Sequence, residues 1–522
     1  MIFTNPKDSH CMNKVRHILI LCLFVTGLAA SAQTAAERWS RVKTYEQVLR
    51  DNLWNGSQNI NGVRQDSVSR SYAGFTGEYE GGGMRDTWQA ERGWSAGAST
   101  ASVQHLEKMS LKGSFSFIQT EGYGMCGSMF IKPGFYPVDV LEFTPGRKTL
   151  QTYSFDGGIS YDIAPSWRIG AVMDFESSNI AKRKDLRHSN WRLDLKVAPG
   201  IMYHSEDFAV GTALLLCKTS ETVEATQVGT SESSYYAFLD KGQMYGVYSI
   251  WTGNGVHLDE AGVNGFPVRD FSYGAALQVQ YKDFFAEAEY TRTSGSIGEK
   301  EYIWFRFPAD SFKTRLAYRH TSSKVTHYAR LVFDWSGRKL EESILEKVTA
   351  NGVSTVINHG SNRIATERGI SLDPEYEYIT SRIEVHAKAH IGVDKDMASQ
   401  IYPYIHTQSL ATFGADVRVK TFTGPWSFTA EAGYCEGRIS QDSWMTDQQT
   451  GVQTAPFRLQ DWYERQMEFR TAPRLLAGAS ARYTFARDIY TELSGNWTHG
   501  FNLKHLTGAD RFCTTLTIGY NF

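Results

Sequence analysis

Two short stretches place a histidine close to a serine, the residue types that a hydrolase uses as base and nucleophile. His204 precedes Ser205, and His320 is followed by Thr321 and Ser322. Adjacency along the chain does not orient a nucleophile toward a base and a third group. Both stretches also fall in predicted turns between strands. We therefore predict that the protein is not an enzyme.

Possible metal ligands are scattered along the chain rather than gathered in one motif. Glu121, Cys126, His257, Asp259 and Glu260 fall in predicted loops and lack the compact ligand spacing of a metal site. Scattered polar residues at the surface explain them more simply. The sequence therefore predicts no metal site and no cofactor.

Three cysteines share one position in the pattern of predicted strands. Cys217, Cys435 and Cys513 lie on the polar face of a strand, about nine residues from its short-turn end. They could form a ring at one level of a lumen, as metal ligands or disulfide partners. They could equally be small residues in a partly filled interior, which is the simpler interpretation. The sequence leaves their role open.

The elements that carry these residues alternate apolar and polar side chains with the period of two that is typical of strands. Between residues 150 and 177, for example, Tyr153 and Phe155 lie on one face, and Ser154 and Asp156 lie on the other. Such stretches come in pairs, which indicates β-hairpins. Short turns are predicted at 164–166, 204–207, 282–283, 322–324, 423–425 and 486–488.

Long polar connections separate the predicted pairs, at 177–190, 219–270, 336–370 and 437–470. Alternating short turns and long loops, strands of about 10 residues and aromatic residues at strand ends are typical of outer-membrane barrels. We therefore predict an all-β fold, a transmembrane antiparallel up-and-down β-barrel of about 16 strands, within 14 to 18, with short periplasmic turns and long external loops. Within the least regular region, Tyr376 to Ile391 is expected to be one strand.

Composition excludes two other classes of protein. The mean hydropathy is −0.37, which is too low for a helical membrane bundle. The chain has 54 basic and 56 acidic residues, a net charge of −2, and no basic block that could follow a phosphate backbone. Nucleic acid is therefore not an expected partner.

The N-terminus has the organisation of a secretory signal peptide. Lys14 and Arg16 precede an apolar run at 18–30, and small residues follow up to Ala32, after which we expect cleavage. The predicted domains are a signal peptide at 1–32, a periplasmic segment at 33–69 and a barrel at 70–522. Apolar residues at near-helical spacing predict a short helix from Ala35 to Leu53. We expect this helix to cap the barrel mouth; plugging the lumen or meeting a periplasmic partner are the alternatives.

The last strand places Phe512, Leu516, Ile518, Tyr520 and the terminal Phe522 on one face. This strand resembles the C-terminal signal of bacterial outer-membrane β-barrel proteins, which the barrel-assembly machinery reads. The stretches LWNGSQNINGVRQDS and SYAGFTGEYEGGG are similar to the start of the barrel in uncharacterised outer-membrane proteins of Bacteroidota. The resemblance implies a location in the outer membrane of a Gram-negative bacterium. It also implies membrane lipid and the assembly machinery as partners.

The expected function follows from the charged side chains on the polar face of the strands, which would point into the lumen of a barrel. We predict a passive channel or transport component for small solutes, with a sealed barrel that binds a surface partner or joins a larger outer-membrane complex as the alternative. A TonB-dependent receptor would need about 22 strands and a folded plug domain, for which the chain before the first strand is too short. The solute or surface partner is not specified by the sequence. The candidate lumen-lining residues are Arg168, Asp174, Arg192, Asp194, Glu287, Glu289, Arg315, Arg319, Arg330, Arg382 and Glu384.

Overall fold

A computed structural model describes residues 44–65, 68–226, 235–244, 246–251, 266–298, 302–399, 405–443, 459–485 and 488–522. The predicted signal peptide and the first part of the predicted helix lie outside the described residues. So do parts of the connections predicted at 219–270 and 437–470, and residues 486–487 of the last predicted turn.

In the described part of the chain, the alternating stretches form twenty strands in a single antiparallel sheet. In chain order they are β1 (Arg70–Gly82), β2 (Arg92–His105), β3 (Met109–Ser128), β4 (Asp139–Ala164), β5 (Trp167–Lys182), β6 (Arg187–His204), β7 (Phe208–Thr226), β8 (Tyr235–Asp240), β9 (Gly246–Trp251), β10 (Phe266–Tyr281), β11 (Phe284–Gly298), β12 (Ile303–Thr321), β13 (Thr326–Ala350), β14 (Val353–Ile379), β15 (Ile383–Ala398), β16 (His406–Thr423), β17 (Trp426–Asp442), β18 (Arg474–Thr484), β19 (Ile489–Gly500) and β20 (Asp510–Asn521).

Eighteen of these strands close a barrel. Strands β1 to β7 pair in chain order, β7 pairs with β10, and β10 to β20 again pair in order. The barrel closes where β20 pairs with β1, from Tyr72 opposite Asn521 to Gly82 opposite Arg511. The remaining hairpin, β8 and β9, extends from the first residues of β4. The predicted barrel is confirmed, with two more strands than the sixteen preferred and at the upper limit of the predicted range.

Five of the six predicted short turns lie at one end of the barrel, between the strand ends given above. We call this end the turn end and the opposite end the outer end. The chain also reaches the turn end with its last residue, Phe522, which exchanges backbone hydrogen bonds with Ser71.

Three predictions of strand boundaries were wrong. Tyr376 to Ile391 is not one strand, because β14 ends at Ile379 and β15 begins at Ile383; Thr380 Oγ1 accepts hydrogen bonds from the Arg382 and Ile383 amides and closes the turn. The connection predicted at 336–370 is mostly strand, since β13 and β14 continue to a two-residue turn at Asn351 and Gly352, both with positive φ. The prediction at 177–190 is likewise too long, because β5 and β6 occupy most of it.

The outward face of the barrel is apolar over the part that is next to the turn end. Large apolar side chains with more than a third of their surface exposed occur on every barrel strand, and include Phe75, Leu214, Leu277, Val393 and Ile518. On β15 this apolar face ends at Val393, because the next outward position is the exposed Lys395. The inward parity carries glycine, small and charged residues.

Within the described residues, two α-helices accompany the sheet. α1 (Tyr45–Asp51) begins after Thr44, whose Oγ1 accepts from the Gln47 amide while the Gln47 side chain accepts from the Thr44 amide. This capping box fixes the start of this helix at Tyr45, and the part of the predicted helix at 35–43 lies outside the described residues. α2 (Leu459–Thr471) lies at the outer end. No helix in the described part of the chain is long and apolar enough to cross a membrane.

Candidate functional site

The residues that follow α1 run across the interior of the barrel. We call Asn52–Gln65 the plug segment; it ends in a 3-10 helix, Ile60–Gln65. Trp54 packs edge-to-face on Phe285 of β11, with ring centroids 5.0 Å apart. Ile60 shares a buried cluster with Val172 of β5 and Ala198 of β6. These strands belong to the run β5-β6-β7-β10-β11, and the contacted side chains lie on its buried, inward parity, which places the segment inside the lumen.

Glycines in four adjacent strands make room for the plug segment. These residues, which we call the glycine cradle, lie three to six positions from the turn end: Gly158, Gly170, Gly200 and Gly211. A Cβ atom would lie 2.8 Å from Ile60 Cδ1 if built on Gly158 and 2.8 Å from Asn59 Oδ1 if built on Gly200. On Gly211 it would lie 2.6 Å from Asn59 Nδ2. The wall is therefore shaped to the segment.

Two buried asparagines bind the plug segment to the strand backbones. Asn59 Nδ2 donates to the Ile201 carbonyl at 3.0 Å, and Asn61 Nδ2 donates to the Gly200 carbonyl at 3.0 Å. Ser160 Oγ donates to Asn61 Oδ1 at 2.7 Å. Because buried amides are costly unless their hydrogen bonds are satisfied, these contacts fix the register of the segment in the lumen.

Glu287 holds the middle of the plug segment from the other side. Its carboxylate accepts from Ser57 Oγ at 2.5 Å, from the Gln58 amide at 3.1 Å and from Gln278 Nε2 at 2.9 Å. Its other oxygen lies 3.7 Å from Arg315 Nη2. Hydrogen bonds to an ionised group are the stronger kind, so Glu287 is a principal anchor of the segment.

Several of the predicted lumen-lining residues contact the N-terminal residues. Glu289 accepts from Gln58 Nε2 at 2.8 Å, Arg315 donates to the Asn55 carbonyl, and Arg319 donates to the Asp51 carbonyl at 2.6 Å. Glu384 lies 3.1 Å from Arg50 of α1. These residues bind a segment of the same chain, and whether they also line a conducting path stays a prediction.

The other predicted lumen residues form ion pairs within a strand or with a neighbouring strand, with one exception. Ion pairs join Arg168 with Asp162 at 3.0 Å, Asp174 with Lys196 at 2.9 Å, Arg192 with Asp194 at 2.8 Å, and Arg330 with Glu377 at 2.7 Å. Arg382 instead lies exposed in the turn between β14 and β15, because the continuous strand on which we placed it is a hairpin.

A cavity of about 1040 Å³ opens between α1 and strands β12 to β19 at the turn end. On its wall Glu375, Glu377 and His386 bring three possible metal-ligand atoms within 4.8 Å of one another, a grouping that the misplaced strand concealed. Arg330 Nη1 lies 2.7 Å from Glu377 and 3.5 Å from Glu375, and Arg50 Nε lies 3.8 Å from Glu377. Two guanidinium groups already neutralise these carboxylates.

A loop folds into the lumen from the outer end. This inner loop, Met129–Val138, buries Phe130 against Phe266 with ring centroids 5.9 Å apart. The Ile131 amide donates to the buried Glu221 at 2.8 Å, and Arg192 Nη1 donates to Tyr136 Oη at 3.1 Å. The lumen is therefore occupied from both ends, by the plug segment and by the inner loop.

A second cavity, of about 670 Å³, lies at the outer end between α2, the inner loop and strands β12 to β16. We call it the outer chamber. Carboxylates from β14 and β15, rings from α2 and the side chain of Gln408 line it.

The residues first considered for chemistry have structural contacts. Ser205 Oγ donates to the Phe208 carbonyl at 3.2 Å and Ser322 Oγ donates to the Val325 carbonyl at 3.3 Å, so each serine closes its turn. Glu121 forms an ion pair with Arg147. His257, Asp259 and Glu260 lie outside the described residues.

The cysteines are separate from one another. Cys126, Cys217, Cys435 and Cys513 are free thiols among the described residues. Cys217 is on β7, Cys435 on β17 and Cys513 on β20, and Cys435 Sγ accepts from Arg474 Nε at 2.9 Å. This contact accounts for Cys435 without a ligand.

Comparisons with known proteins give a family and several distant structures. A family model described as "Family of unknown function (DUF6850)" matches residues 62–522. A search of curated proteins finds no match. Among solved structures, the chain is similar to the copper transporter OprC, with 8% identity and a TM-score of 0.41 over 87% of this chain and 80% of that chain. It is also similar to BauA, the ferric preacinetobactin receptor from Acinetobacter baumannii, with 9% identity and a TM-score of 0.40 over 87% and 80% of the two chains.

Proposed function

We propose that this chain, which belongs to the DUF6850 family of unknown function, is an outer-membrane transport barrel that its own N-terminal segment closes at rest. In the open state, small polar solutes would cross its lumen passively. The observation that carries this proposal is the docking of the plug segment in the glycine cradle.

The outer face supports the membrane location. A closed barrel leaves no unpaired strand edge in lipid. The exposed apolar side chains around the wall are more favourably placed against lipid tails than against water. Short turns at one end and long strand extensions at the other support an orientation with the turn end in the periplasm. We accordingly propose signal-peptide cleavage near Ala32 and recognition of the strand ending in Phe522 by the barrel-assembly machinery.

The contacts of the plug segment favour a gate over a permanently open pore. Asn59, Asn61, Ser57 and Gln58 all have partners on the lumen wall. These partners are polar groups that water can satisfy once the segment leaves, so the undocked wall remains compatible with a hydrated passage. Release of the segment would therefore clear the turn-end part of the lumen without unfolding the barrel.

Single-channel conductance in a planar bilayer tests the proposal. The intact protein should conduct rarely, and a variant lacking residues 44–65 should conduct persistently. Gly158→Val should also conduct, because its side chain would occupy the place of Ile60. Gly414→Val is the matched control: Gly414 also faces the lumen, but a Cβ there has its nearest contact at 3.5 Å, with Cys435 Cβ rather than with the plug segment.

The possible results separate the gate from its alternatives. Equal, persistent conductance of the intact and shortened proteins would mean that the segment is no gate and the pore is open. Absence of conductance in both the intact and the shortened protein, with circular dichroism showing folded barrels, would instead support the sealed barrel that binds a surface partner or joins a larger complex. The inner loop is the observation that favours this second candidate, because it occupies the lumen independently of the plug segment.

A further inference from the structure

On the wall of the outer chamber that β14 and β15 form, three carboxylates share two arginine partners. Glu367 on β14 lies directly opposite Asp396 on β15, and Asp394 lies two residues before Asp396 on the same face. Arg338 Nε is 2.8 Å from Glu367, and Arg470 Nη2 is 3.0 Å from Asp394. In the part of the chain that the structure describes, Asp396 forms no ion pair.

Like charges directly opposite each other destabilise a strand pair. Burial, then Glu367 and Asp394, raise the pKa of Asp396 to about 7. Arg368 also lines the chamber, but it lies opposite Lys395 in the strand pair and forms no ion pair with Asp396 among the described residues. A cation inside the chamber would relieve the repulsion between Glu367 and Asp396.

The opposite wall offers an acceptor and aromatic faces. Gln408 is 1% exposed, and its Nε2 donates to Tyr463 Oη at 2.6 Å. Gln408 Oε1 is buried and has no hydrogen-bond donor among the described residues. Trp88 and Trp462 also line the chamber. A free amide oxygen and aromatic rings are groups that bind an ammonium ion.

The geometry argues against a bare metal ion in this chamber. Among the described residues, the one group of three ligand atoms within 4.8 Å of one another is Glu375, Glu377 and His386, which lies in the turn-end cavity. The chamber carboxylates do not converge in this way, and about 670 Å³ is within the size range of cavities for small organic ligands.

We propose that the outer chamber binds a small organic ammonium ion, with Asp396 as the charge partner and Gln408 Oε1 as the hydrogen-bond acceptor. This names a substrate class for the proposed transport barrel and in that respect rests on the proposed function. Binding itself requires only the folded chamber.

Isothermal titration calorimetry at pH 8 with the full-length purified protein tests binding. The probes are n-butylammonium, the neutral 1-butanol, the anion butyrate and Ca²⁺. We expect binding of n-butylammonium alone, weakened at least about tenfold by Asp396→Asn. Asp396→Glu should bind more tightly than Asp396→Asn, and Arg470→Gln should bind more tightly than the unaltered protein because it frees Asp394.

Asp416→Asn is the matched control, since Asp416 lies on β16 at an inward position that does not line the chamber. It should leave affinity unchanged. Absence of n-butylammonium binding, equal affinity of Asp396→Asn, or preferential binding of Ca²⁺ would each overturn the proposal. The result is independent of the gate: binding without any conductance would remove only the transport role, and conductance without binding would remove only the ammonium site.

Discussion

Replacing Trp54 by alanine should release the plug segment while leaving the barrel folded. The Trp54 side chain is 4% exposed and shares a buried cluster with Leu53, Met202 and Phe285. Gly62 folds against its ring so closely that a Cβ there would lie 2.3 Å away. Removal of a buried tryptophan typically costs about 3 to 5 kcal/mol. Since this loss falls on the docked state, the undocked fraction should rise about 100-fold to 4000-fold.

Hydrogen exchange of the backbone amides, followed by mass spectrometry, measures this shift directly. Amides of the plug segment should exchange faster in Trp54→Ala by about the same factor, while the barrel strands keep their exchange rates. Trp335→Ala is the control, because Trp335 lies on the outward face. The reasoning is refuted if exchange in the plug segment changes less than about tenfold, or if the strands accelerate equally.

Three further predictions concern the outer end. Asp396 has a pKa of about 7 in the folded protein, above the value of about 4 expected when it is unfolded, so its ionisation destabilises the fold as the pH rises between these values. The melting temperature of Asp396→Asn should therefore rise relative to that of the unaltered protein from pH 5 to pH 8, and an equal difference across this range would contradict the assignment. Glu221→Gln should weaken the charge-assisted bond to the Ile131 amide and increase proteolytic cleavage within 129–138; unchanged cleavage would show that apolar packing alone holds the inner loop. The thiol of Cys126, 8% exposed, should resist iodoacetamide until denaturant is added, and rapid labelling of the native protein would contradict its burial.

The barrel itself could be predicted because its strands have one face toward the apolar exterior and one toward the lumen. That arrangement produces alternation such as Tyr153 and Phe155 against Ser154 and Asp156, which is readable without a structure. It also places the predicted turn at 282–283 where the structure has it. The signal is strongest where the exterior is most apolar.

The same reasoning fails beyond the apolar exterior. β13 and β14 continue well beyond this exterior, and at 348–350 and 357–363 consecutive residues on both faces are exposed, so the alternation is lost. A long hairpin there is indistinguishable from a polar loop by period alone. Conversely, the turn from Thr380 to Arg382 contains no glycine or proline to mark it. The alternation therefore continues through this turn, and the sequence predicts one strand where the structure has two.

The plug segment was not predictable from its own sequence. Asn59 and Asn61 are buried because the carbonyl groups of Ile201 and Gly200 receive their amides, and these partners are more than 130 residues away along the chain. A signal did exist in the strands, where Gly158, Gly170, Gly200 and Gly211 occur on the polar parity at similar distances from the turn end. Recognising it requires the register that joins the four strands.

The glycine cradle also bears on which state of the lumen the sequence favours. A glycine within a strand weakens it by about 0.5 to 1 kcal/mol relative to alanine, so four neighbouring glycines cost about 2 to 4 kcal/mol. In a permanently open pore this loss would have no compensation, and small polar residues would serve the wall better. With the plug segment docked, contacts of Ile60, Asn59 and Asn61 at these positions offset the loss. The same residues thus stabilise the closed state specifically, which is the behaviour required of a gate.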